Sequence, residues 1–190
     1  QRNGQTASGT YNIMDNLTYL YAKGNNQLKA VNDAITSTTT ALQFKDNGSA
    51  GSVAAPEYFY DNNGNLKQDN NKSISSITYN ILNLPQLITF SNGNKIEFVY
   101  DATGQKLKKT VKSSSNVITS VKYYLGAAEF TGTTPVLEAI YFSEGRLTKS
   151  GTNPYKYEYT LKDHLGNSRA MFSDLNGDGN IVVSTNPSTT

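Results

Sequence analysis

The feature that most constrains this chain is a turn that repeats. A Tyr-Asp-x-x-Gly signature returns at intervals of about 20 residues, most fully as Tyr60-Asp61-Asn62-Asn63-Gly64-Asn65-Leu66 and as Tyr100-Asp101-Ala102-Thr103-Gly104-Gln105. Degraded copies keep the frame: Phe44 to Gly48, Tyr79-Asn80 to Asn83, Lys122 to Gly126, Tyr141 to Gly145, and Lys162-Asp163 to Gly166. Self-similarity at a fixed period means repeated supersecondary units stacked edge to edge. It points away from an enzyme built around one pocket and toward an architectural surface.

The chemistry of each copy says what the unit is. Ile96, Phe98 and Tyr100 alternate with Lys95 and Glu97, and Tyr155, Tyr157, Tyr159 and Leu161 alternate with Lys156, Glu158 and Thr160. A period of two marks a strand with one buried face, because successive side chains leave opposite sides. Asp or Asn at the turn entrance accepts from backbone amides two residues on, and Gly supplies a positive φ that side chains resist. After the turn the strand resumes: Lys106 to Lys112, a loop Ser113-Ser114-Ser115-Asn116, then Val117 to Leu125. Strand, tight turn, strand, loop, strand is an antiparallel meander. The expected fold is therefore all-β, a series of consecutive hairpins. A sheet of more than about ten strands must curl or be covered, so a strongly curved sheet is anticipated.

Composition narrows the function classes. The net charge is +2 with 17% charged residues, and no Lys/Arg stripe stands out, which argues against nucleic acid as a partner. Hydrophobic residues make up only 36%, with 13 Tyr, no Trp and no Cys. Tyr suits surfaces that are apolar on one side and wet on the other. Without Cys there is neither a disulfide nor thiolate chemistry. No run reaches the roughly 20 apolar residues of a membrane helix, and no charged-then-apolar leader opens the chain. Starting at Gln1 in mid-pattern, it reads as an excised portion of something longer.

Three regions are expected. Residues 1–16 are polar and poorly patterned. Residues 17–172 carry the hairpin rhythm, interrupted by a long Ser/Thr/Ala/Gly loop near 30–55. Residues 173–190 hold an Asp/Asn/Gly turn and a polar tail. A helix from Leu28 to Thr36 lacks a convincing 3.6-residue stripe.

At this point the residues resemble a family. The Tyr-Asp-x-x-Gly-Asn spacing is similar to the YD repeat of rearrangement-hotspot (Rhs) proteins and their animal relatives, the teneurins. The segment Tyr159-Thr160-Leu161-Lys162-Asp163-His164-Leu165-Gly166-Asn167-Ser168-Arg169 resembles the Rhs repeat-associated core, which is marked by Asp-His-Leu-Gly-Asn-x-Arg. Phe172 to Gly179 looks like the variant of Bacteroidetes-type bacteria. The resemblance spans roughly residues 17–183. It implies a spiral β-sheet, an arc of an Rhs-type shell that in many members encloses a C-terminal toxin. The chain has too few repeats to close such a shell and stops before the family's Tyr-Pro-Phe-Gly region. No self-cleavage or catalytic residue is carried over.

Two motifs invite sharper chemistry. His164, the only histidine, adjoins Asp163 and could be an oriented general base with Ser168 or Ser173 as nucleophile. Neighbouring strand residues face opposite ways, so a turn histidine within the hairpin is the preferred reading, with Asp163, Gly166 and Asn167 as turn formers. Arg169 is expected to pair with a carboxylate or aromatic of the next strand. Asp174-x-Asn176-x-Asp178-Gly179-Asn180 matches the first half of a calcium loop, but position twelve is Thr185 and offers no bidentate carboxylate. A hairpin turn is the competing reading, and weak calcium is the only cofactor this sequence suggests.

The Tyr ladder (Tyr60, Tyr79, Tyr100, Tyr123, Tyr141, Tyr157 and Tyr159) is read as cross-strand aromatic pairs that lock register, in preference to a sugar-stacking platform. The functional expectation is a non-catalytic structural segment of a secreted or bacterial cell-surface protein. It would form part of a β-shell that encapsulates or presents a C-terminal effector, in contact with neighbouring repeats of its parent. The alternative is a cell-surface adhesion module for glycans or proteins.

Overall fold

The fold is described from a computed structural model, which describes residues 1–7, 9–35, 43–46, 51–149 and 155–174. Among them are sixteen strands and no helix. Two hairpins come first: β1 (Arg2–Ala7) with β2 (Thr10–Asp15), and β3 (Leu17–Tyr21) with β4 (Leu28–Asp33). A 12-stranded antiparallel sheet follows in strict chain order. It runs through β5 (Tyr58–Tyr60), β6 (Leu66–Asp69), β7 (Ile74–Tyr79), β8 (Pro85–Phe90), β9 (Lys95–Tyr100) and β10 (Lys106–Lys112). It continues with β11 (Ile118–Leu125), β12 (Ala128–Thr131), β13 (Val136–Phe142), β14 (Gly145–Thr148), β15 (Lys156–Lys162) and β16 (Ser168–Ser173).

The all-β meander of the sequence reading is present; the curved or spiral sheet, and with it the arc of a shell, is not. No sheet is closed or strongly curled. Curling stabilises a sheet when one of its faces becomes a core. Here few strand residues are buried: across β5–β16 the buried apolar side chains are Tyr58, Ile74, Val121 and Ala139. That is too little apolar burial to offset the cost of bending a backbone whose hairpins are already satisfied.

Two compact units divide the chain. Unit 1 (1–98 and 111–117) holds most of the buried residues among those described. Met14, Ala30 and Val31 are buried beside Asp15, Gln43, Glu57 and Asp69. Glu57 acts as a hub: its Oε2 accepts from the Val31 amide at 2.9 Å and from Asn71 Nδ2 at 2.8 Å, while its backbone N–H donates to Lys29 at 2.7 Å. A Cβ on Gly51 would lie 2.7 Å from Glu57 Cδ and 2.5 Å from Ala30 Cβ, so this position must be bare. Acids hold the unit by accepting backbone amides: buried Asp15 from Phe44, half-buried Asp33 from Asn16 and Ile35, and buried Asp69 from Lys72.

The residues 1–16 that looked unpatterned thus contain the β1–β2 hairpin, and Leu28–Asp33 is a strand rather than a helix. Unit 2 (99–110 and 118–190) contains β11–β16; its buried residues among those described are Thr110, Val121 and Ala139.

Candidate functional site

The repeated turn has one geometry. At Asp61, Asn80, Asp101 and Asp163, the first residue's backbone N–H donates to the carbonyl four residues on, each at 2.9 Å. The amide of the fourth residue donates back to the first carbonyl at 2.9–3.2 Å. That fourth residue has positive φ: 84° at Gly64, 61° at Asn83, 89° at Gly104 and 83° at Gly166. Such a loop is a type I turn closed by a left-handed residue that forms a bulge, a standard hairpin connection.

The side chain at the first position completes it. Asp61 Oδ1 accepts from the amides of Asn63 and Asn65, Asp101 Oδ1 from Thr103 and Gln105, and Asp163 Oδ1 from Leu165 and Asn167. Asn80 does the same for Leu82 and Leu84. These bonds favour the charged carboxylate. The Asn65 side chain and the turn amides hold Asp61 below the usual range; Thr103 and Gln105 do so for Asp101, and Asn167 with Leu165 and Arg169 for Asp163.

The flanking residues of the motif join one copy to the next. Tyr60 donates its hydroxyl to Leu28 O at 3.0 Å, and Tyr79 donates to Leu66 O at 2.6 Å. Leu28 and Leu66 are each the first residue of a strand leaving a glycine-containing turn. Burial of the rings pushes both phenols up, and likewise that of Tyr100. Asn65 and Asn83 exchange amide hydrogen bonds at 2.6 and 3.0 Å, linking adjacent turns directly. Tyr, Asp, Gly and Asn therefore each have a structural task, and the motif is consumed in holding hairpins together.

His164 stands exposed on its turn. Asp163 beside it is engaged by Leu165, Asn167 and Arg169; the Arg169 Nη2 lies 2.7 Å from Asp163 Oδ2. Arg169 thus pairs within its own hairpin. A carboxylate bound this way is not positioned to orient an imidazole. Of the calcium-like residues, Asp174 is described, while Asn176, Asp178 and Asn180 lie outside the described residues. Among the described residues no group of three or more acidic or histidine side chains is placed to hold a metal. Unit 1 carries an open groove of about 830 Å³ whose lining includes Phe44, Lys45, Ile74, Ile88, Phe90 and Ile96.

The most continuous apolar surface of unit 2 is built by strand register. Directly paired residues share a face. Leu125 pairs with Ala128, Ala128 with Ile140, Ile140 with Leu147, and Leu147 with Tyr157, giving an unbroken apolar row across five strands. A second row runs through Phe142, Gly145, Tyr159 and Phe172. In it Tyr159 stacks on Phe172 at 5.6 Å and on Tyr157 at 6.1 Å, and Phe142 meets both tyrosines edge-on. Gly145 makes room for this packing: a Cβ there would lie 2.0 Å from Glu158 O and 2.9 Å from Tyr159 Cα.

The opposite face is mixed: Tyr141 and Met171 share it with a set of charged residues that pair among themselves. Lys122 reaches Glu129 and Glu138, both at 3.2 Å, and Arg146 reaches Glu158 at 2.6 Å. Burial alone would pull Lys122 down, but its bonds to Glu138 and Glu129 raise it. The sequence reading included Tyr157 and Tyr159 in its ladder; it missed Leu125, Phe142 and Phe172, which join them only through pairing.

No protein-family model and no curated protein matches this chain.

Proposed function

We propose that this chain is a non-catalytic structural segment of a secreted or surface protein of the Rhs/YD-repeat type, an open sheet of hairpins that presents or helps enclose a C-terminal effector. The observation that carries the reading is the turn frame repeated at Asp61, Asn80, Asp101 and Asp163. Its polar residues are spent on backbone amides and on the neighbouring copy, the pattern of a building unit rather than of a reactive centre. An open sheet acts on cargo by exclusion and by offering edges to further strands of the parent.

A second reading, a protein- or glycan-binding module, is favoured by the exposed aromatic rows around Tyr157 and Tyr159. Limited proteolysis with mass spectrometry on the intact parent separates the two. A distinct C-terminal polypeptide that stays bound and protected is the expected result. A single uncut chain with an accessible C-terminus refutes the effector role and directs attention to binding.

A further inference from the structure

We propose that the apolar face of β11–β16 is an interface between two copies of this chain, packed face to face. The proposal stands on the register of unit 2 and does not depend on the effector reading.

A sheet face lined by contiguous apolar rows is half of a two-layer structure, because the apolar side must be covered to contribute stability. Here it is uncovered. Leu125 is 68% exposed, Leu161 58%, Tyr157 55%, Tyr159 39%, Tyr155 38% and Ile140 36%. At about 200 Å² for a whole large side chain, these six expose roughly 600 Å². The half-buried Phe142, Leu147 and Phe172 between them bring the patch toward the ~800 Å² per partner of a standard interface.

The chemistry of the face selects its occupant. The two apolar rows contain no charged residue, so a charged partner would be desolvated without compensation. Cations lie over tyrosine rings that flank the rows: Lys108 Nζ is 5.2 Å from the Tyr123 ring and Lys149 Nζ is 5.7 Å from that of Tyr155. A neutral centre with a polar margin is the anatomy of a protein interface. The opposite face carries Lys122 and Arg146 already paired with their own carboxylates, and so exerts little pull on an opposing surface. The surface that matches an uncharged, pleated, aromatic face is another such face. Two sheets packed with strands aligned at about −30° and about 10 Å apart satisfy it by interdigitating their side chains.

Sedimentation equilibrium of the chain across about 1 to 100 µM, the range in which interfaces of this size and modest affinity dissociate, tests the proposal. A monomer–dimer equilibrium is expected. Leu125→Glu and Tyr157→Glu each place a carboxylate in the seam and should raise the dissociation constant at least about 100-fold. Met171→Glu puts the same charge on the opposite face, at a side chain 61% exposed, and should change it less than about threefold. Far-UV circular dichroism establishes that each variant folds; if Leu125→Glu does not, Tyr157→Ser takes its place, with an expected loss of at least about tenfold. A wild type that is monomeric throughout overturns the proposal. So does a dimer that the Leu125 and Tyr157 variants leave intact, since it would form through another surface. A monomer whose Tyr157 is protected from chemical labelling overturns it too, by showing that the chain covers its own face.

Discussion

Gly145→Ala is the most direct perturbation of this sheet, and its cost can be worked out from the geometry. The new Cβ would lie 2.0 Å from Glu158 O, where ordinary contact begins at 3.4 Å, so β14 and β15 must separate locally by about 1.4 Å (3.4 less 2.0). The colliding atom is backbone, and no rotamer change relieves it. The separation falls on the Gly145–Tyr159 and Arg146–Glu158 pairs and on the bond from the Thr160 amide to Glu144 O at 2.8 Å. Losing two or three such bonds at about 1 kcal/mol each, with about 1 kcal/mol of ring packing at Phe142 and Tyr159, gives about 3–4 kcal/mol. Replacing Gly by Ala returns about 0.5–1 kcal/mol by restricting the unfolded chain. The net destabilisation is about 2–3.5 kcal/mol.

Urea unfolding of wild type and variant at equal protein concentration measures it, as a midpoint lowered by about 1 M at unchanged slope. Hydrogen exchange at Tyr159 and Thr160 should accelerate before that of β7 and β8. Gly64→Asn is the control: it also changes a glycine, but at an open turn position where Asn83 shows that Asn is accepted. It should cost well under about 1 kcal/mol. A Gly145→Ala protein within about 0.5 kcal/mol of wild type would refute the β14–β15 geometry.

Two further outcomes follow from the turns. Tyr79→Phe removes the hydroxyl bonded to Leu66 O and should cost about 1 kcal/mol in the same urea experiment, with exchange at the β6–β7 pairing accelerated; an unchanged midpoint would mean that the hydroxyl bond does not join the copies. The carboxyls of Asp61, Asp101 and Asp163 are held below their ordinary value, so folding binds fewer protons than the unfolded chain does. Their contribution is full above the ordinary carboxylate pKa of about 3.9 and is lost as pH falls through the lowered folded-state values. Denaturation midpoints measured between about pH 7 and pH 2 should therefore fall on the acid side, and Asp101→Asn should flatten part of that fall while keeping the turn, as Asn80 keeps its own. An acid limb that is identical in the variant would show that Asp101 contributes none of it.

Local chemistry was legible from residues alone. Lys106–Lys112 is β10 as read, the Ser113–Asn116 loop falls between β10 and β11, and the alternation from Tyr155 to Leu161 lies within β15 and the residue before it. Turn entrances at Asp61, Asp101 and Asp163 followed from Asx chemistry and a glycine three residues later. The β1–β2 hairpin was not legible, because its first strand, Arg-Asn-Gly-Gln-Thr-Ala, lacks alternation and is paired with an irregular register. Nor was the partner of Arg169, since a side chain that folds back on its own turn leaves no periodic mark.

By itself the sequence determined what depends on neighbours a few residues away: strands with a period of two, and turns whose Asp, Asn and Gly satisfy their own backbone. The tertiary structure decided how those strands add up. Which apolar rows coincide depends on register across successive hairpins, including the shift between Glu129 and Phe130, and one slipped residue would send a row to the other face. Whether the sheet curls is likewise a sum over all its strands, of apolar area gained by bending against the backbone freedom and pairing it costs. Here that balance leaves the sheet open, with an aromatic face toward solvent on β11–β16 that no single strand announces.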